Sequence, residues 1–80
     1  MSPGDYGAIN AAVITKSDTA NLPASARRIW VGGLGDVKVD TIGGDTVTFT
    51  AVPAGTVLPV QVRKVYSTGT TATNMVALYG

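Results

Sequence analysis

No stretch of this 80-residue chain keeps a 3.6-residue apolar period, because glycine or proline interrupts every candidate helix. Valine and threonine supply more than a quarter of the residues and glycine ten more, a mixture that belongs in strands and turns. Period-two runs are plain. Val37-Lys38-Val39-Asp40 alternates apolar with charged, and residues 46–51 place Val47, Phe49 and Ala51 on one face and three threonines on the other. Both read as half-buried antiparallel strands. Residues 11–15 are apolar on both faces, and residues 27–31 set Ile29 and Val31 against Arg28 and Trp30. Leu58, Val60 and Val62 share a face, but the next inward position is Lys64 while Val65 is apolar. A β-bulge near Arg63-Lys64 is therefore expected. Residues 75–79 close the set, with Val76 and Leu78 on one side and Met75, Ala77 and Tyr79 on the other.

Turns fall between these runs at short intervals. Gly32-Gly33-Leu34-Gly35-Asp36 reads as a tight hairpin, and residues 41–45, 53–55 and 67–71 as the later reversals. Strands at roughly 8–12-residue spacing predict an all-β fold, a small antiparallel β-sandwich or barrel of jelly-roll or Greek-key type with about six strands. Residues 27–79 are expected to form a continuous meander and residues 17–26 a longer crossover loop. The organisation expected is a flexible N-terminal arm over 1–10 and a single β domain over 11–80.

Composition narrows the chemistry. The chain has no cysteine and no histidine, and all five acidic residues are aspartates. Disulfides, thiol chemistry, histidine-based catalysis and ordinary zinc sites are excluded. Asp36, Asp40 and Asp45 lack calcium-loop spacing and read as solvated turn carboxylates. Gly33-Leu34-Gly35 lacks the third glycine and following helix of a phosphate loop. No enzyme activity, cofactor or metal is expected. A net charge of +1 does not support nucleic-acid binding by charge. Residues 46–62, the longest uncharged stretch, are broken by Pro53, Gly55 and Pro59, so no membrane span is expected, and the first residues have no secretory pattern. A core this small rarely supplies more than about 3–5 kcal/mol. With disulfides and metals removed, self-association or a larger partner is the reinforcement left.

Six residues stand out as interface candidates. Trp30 and Tyr79 lie opposite their strands' other apolar residues, so they either face a partner together with Met75 or cap the ends of the core. Arg28 belongs to one of two basic dipeptides, Arg27-Arg28 and Arg63-Lys64. These protect strand edges, or meet an acidic partner surface if their strands pair into a strip. Tyr6 and Ile9 are apolar anchors in an otherwise small-residue arm, either a clamp on a partner or part of a loose tail.

Taken together, Ala26-Arg27-Arg28-Ile29-Trp30-Val31-Gly32-Gly33, Gly43-Gly44-Asp45-Thr46-Val47-Thr48-Phe49, residues 53–60 and residues 68–73 resemble a family of very short tailed-phage proteins, with residues 14–23 fitting the pattern upstream. Members are encoded among head genes and include the base protein of the head spike in gene transfer agents. The likeness covers about residues 11–79. Each motif is a weakly specific glycine- or threonine-rich turn, and their order and spacing carry the resemblance. It implies a virion structural protein on the outer surface of the capsid, a decoration (cement) or head-spike base protein with no catalytic residues. Implied partners are the major capsid protein, copies of the chain itself as a trimer or pentamer, and a spike or fibre protein. A virion-displayed host- or glycan-binding module is the alternative, and it predicts an aromatic-lined pocket with convergent polar groups.

Overall fold

Seven strands follow one another in a computed structural model that describes residues 10–79. They are β1 (Asn10–Val13), β2 (Arg28–Gly33), β3 (Gly35–Thr41), β4 (Thr46–Val52), β5 (Thr56–Leu58), β6 (Val62–Val65) and β7 (Thr73–Tyr79). One antiparallel sheet has the order β1-β7-β2-β5 and the other β4-β3-β6. No helix occurs among the described residues. Of the sandwich and barrel expected from the alternation, the two-sheet sandwich is the fold found, with seven strands where about six were expected. Tyr6, Ile9 and the rest of the expected arm lie outside the described residues, except Asn10, which pairs with Tyr79.

The sheets are not a meander. β3 and β4 are the one pair of consecutive described strands that hydrogen-bond to each other, through the Thr41–Asp45 turn. The corner that breaks the meander is the segment read as a hairpin. β2 ends at Gly33 and β3 starts at Gly35 in the other sheet, so the chain changes sheets at Leu34 instead of folding back as a hairpin. The glycines there are not required for a left-handed turn. A Cβ on Gly33 would overlap the Thr73 hydroxyl, and one on Gly35 the backbone nitrogen of Ala72. Glycine is used at this corner for close passage of another backbone.

Two bulges set the faces. Asp40 pairs with Lys64 and Thr41 with Val62, leaving Arg63 unpaired and turning both Val62 and Val65 inward. That is the bulge the apolar pattern demanded. The stretch before it is broken, however: β5 and β6 belong to different sheets, separated at Pro59, which has no N–H to give a ladder. The second bulge lies in β4, between the Val37–Phe49 and Gly35–Val52 pairs. There Ala51 takes φ 51° and is exposed, and Val52 is buried in its place.

Ile29 and Val31 of one sheet face Val37, Val39, Val62 and Val65 of the other, all essentially inaccessible. Each such side chain contributes about 1.5–3 kcal/mol by burial. Met75 and Ala77 join them, 3% and 5% exposed, which reverses the facing entertained for the last strand. Register is the reason: Ile29 pairs with Ala77 and Val31 with Met75, so these partners share the inner face. Residues 17–26 do form a crossover, and its backbone seals the β6 edge. Ser17 N–H donates to Val65 O (2.9 Å), Leu22 N–H to Arg63 O (2.8 Å), and Ala26 and Val62 exchange two bonds of 2.9 Å.

Candidate interaction surface

The two outer faces of the sandwich differ in character. On the β4-β3-β6 sheet, Asp40 is 5% exposed and gathers a polar network. Thr46 Oγ1 donates to Asp40 Oδ1 at 2.5 Å, and the Tyr66 hydroxyl lies 3.0 Å from both carboxylate oxygens. Lys64 Nζ is 3.5 Å from Oδ2. Lys38 and Lys64 each place Nζ 4.7 Å from the centre of the Tyr66 ring, within cation–π range. The Thr46 hydrogen bond, then Tyr66 and Lys64, hold the Asp40 carboxyl below its ordinary value against the opposing effect of burial. Asp40 is thus a structural anchor, not the solvated turn carboxylate expected. Asp36 is also engaged, its Oδ1 accepting the Ala51 N–H at 2.8 Å.

The outer face of the β1-β7-β2-β5 sheet is apolar. Direct cross-strand partners place Val57, Trp30, Val76 and Val13 in one row across all four strands, with Arg28, Leu78 and Ala11 in the next. Val13 is 80% exposed, Val57 43% and Trp30 39%. Large apolar groups lined up in solvent across a whole sheet are what a docking surface presents.

Of the sequence candidates, the fold brings Trp30 and Arg28 together on this face. Met75 is withdrawn into the core. Tyr79 also points inward and packs against the core cluster. Val13, Val57 and Val76 were missed. Residues 11–15 carried a signal, being apolar on both faces, but Val57 had none until Pro59 separated β5. β2 and β6 belong to different sheets and do not pair, so the basic strip that required their pairing does not form.

A cleft of about 450 Å³ opens between β1 and the crossover. Ala12, Ile14, Leu22, Pro23, Ala77 and Tyr79 line it, and among the described residues Tyr79 is the one aromatic side chain there. Among the described residues it does not gather the several aromatic side chains expected of the binding-module alternative.

No family model matches the chain, and no curated protein matches it. A solved structure does: a chain in the structure described as the capsid of a native gene transfer agent particle computed with C5 symmetry. The two are 38% identical with a TM-score of 0.80, over 89% of this chain and 82% of the other.

Proposed function

Because the chain belongs to the same family as this protein of the gene transfer agent capsid, we propose that it acts on the outer surface of a phage-like capsid, as a decoration or head-spike base protein. It is a virion structural protein, and the match at 38% identity over nearly the whole fold carries that conclusion. In the proposed role the chain oligomerises, docks on the major capsid protein, and offers its remaining surface to a spike or fibre. The apolar row of Val57, Trp30, Val76 and Val13 supports docking, since it supplies a flat hydrophobic face with Arg28 at its margin for an acidic neighbour. Many weak contacts on one shell add up to firm attachment.

Mixing the purified full chain with undecorated capsids and imaging the particles tests this. Density on the outer surface at symmetric positions is expected, with its location giving the ring order. Trp30→Asp should weaken decoration at least about tenfold, as loss of a buried aromatic anchor does, while circular dichroism stays β-like. Bare shells, or density confined to the interior, would overturn the reading.

A further inference from the structure

Four strands lie at sheet edges, and they are treated differently. β6 is sealed by the crossover backbone. β5 has three residues and stands between Pro53 and Pro59. β1 and β4 have neither protection. β4 runs seven residues, Thr-Val-Thr-Phe-Thr-Ala-Val, with no charge and no proline, and is largely exposed; β1 is Asn-Ala-Ala-Val, exposed throughout. Natural proteins blunt open edges with charge, proline, cover or a bulge; among the described residues β1 has none of these, and β4 has only the bulge at Ala51, which leaves Thr46 to Thr50 regular.

The ladder fixes which backbone groups they offer. Thr41 N–H donates to Asp45 O, so by antiparallel alternation Val47 and Phe49 bond to β3 while Thr46, Thr48 and Thr50 aim N–H and C=O outward. Ile14 N–H donates to Met75 O, so Ala11 and Val13 of β1 aim theirs outward. All five side chains stand on the outer faces of their sheets. Antiparallel pairing of β4 with β1 of another copy therefore joins outer face to outer face and leaves both cores on the same side of one continuous sheet.

The edges also lie on opposite flanks. Residues 53–55 lead from β4 directly to β5, whereas the crossover ties the β1 side to β6. We infer that β4 of one copy pairs antiparallel with β1 of the next, head to tail. A symmetric β4–β4 dimer would leave β1 open in both copies, while the head-to-tail contact uses both unprotected edges and repeats into a ring wherever its rotation closes. This deepens the proposed capsid role by naming the contact between neighbours.

The cysteine-free chain makes the test clean. Full chains carrying Thr46→Cys, Thr48→Cys or Thr50→Cys are each mixed with chains carrying Ala11→Cys or Val13→Cys and oxidised, free and on capsids. Directly bonded partners lie about 5.5 Å apart at Cα, inside disulfide range. Covalent dimers are expected in the mixtures of matching register. A Thr48→Cys, Val13→Cys or Thr48→Cys, Ala11→Cys double variant should give a ladder ending at the ring order, and adding Thr48→Lys to the Thr46→Cys or Thr50→Cys chain should abolish its joining with the β-fold spectrum unchanged. Near-complete dimerisation of a β4 cysteine variant alone, or no joining in any mixture either free or on capsids, would overturn the inference. Decorated capsids whose cysteines never join would overturn this contact and spare the capsid role. Ladders in solution beside bare capsids would do the reverse.

Discussion

Asp40 shows how much of this fold rests on single polar residues. Its carboxylate accepts from Thr46 and Tyr66 and pairs with Lys64 on an otherwise threonine-rich face. Asp18 does a similar task for the crossover, accepting the Thr68 hydroxyl at 2.6 Å and the Thr68 N–H at 2.8 Å, which lower its carboxyl too. Both groups titrate below the ordinary 3.8 when folded. Their contribution is therefore fully present above that value and lost as pH falls through the lower folded value. The melting temperature should stay level from neutrality to about pH 5 and drop steeply below 3.8. Asp40→Asn should lower it at neutral pH and flatten the acid limb; an acid limb as steep as the parent's would show that Asp40 is not responsible. The sequence named Asp40 as one of three nearby aspartates but gave no sign of burial, because Tyr66 and Lys64 reach it across strands far apart in the chain.

At the level of elements, the Gly33–Leu34–Gly35 corner decides which sheet each later strand enters. Gly35→Ala forces a methyl into the Ala72 backbone. A cost of about 1–3 kcal/mol is expected, read as a fall in melting temperature of roughly 4–8 °C per kcal/mol. Leu34→Ala, at a side chain 67% exposed, should change little; equal effects at both positions would deny the corner its role. The elements legible in the sequence were those with one wet face. β3 and the first part of β4 alternate cleanly, and the bulge at Arg63 followed from two valines three apart. β7 is apolar on both sides, so only its pairing with β2 decides its facing. The glycine corner was visible as glycine, but its reason, a backbone passing from residues 71–73, lies far along the chain. For the interaction surface, Trp30 and Arg28 were legible from alternation, whereas Val57 and Val76 joined them only once strand order was known.

Over the whole molecule, a thin core of valines is flanked by one apolar outer face and two unprotected edges, so stability and assembly should be linked. Anything that binds the folded chain and not the unfolded one raises stability by mass action, about 2.7 kcal/mol at a hundredfold excess over the dissociation constant. The melting temperature should accordingly climb by several degrees between low and high micromolar protein, and Thr48→Lys should remove the climb. A midpoint independent of concentration would mean that the free chain melts as a self-sufficient monomer. The strand order has a further consequence, for the moment of synthesis. β2 lies between β5 and β7, and β1 pairs with β7 alone. A nascent chain can close the β3–β4 hairpin early, but the larger sheet has no centre until β7 has cleared the ribosome. Assembly of the larger sheet therefore waits for β7, and a chain caught before that point carries the smaller sheet's hairpin alone.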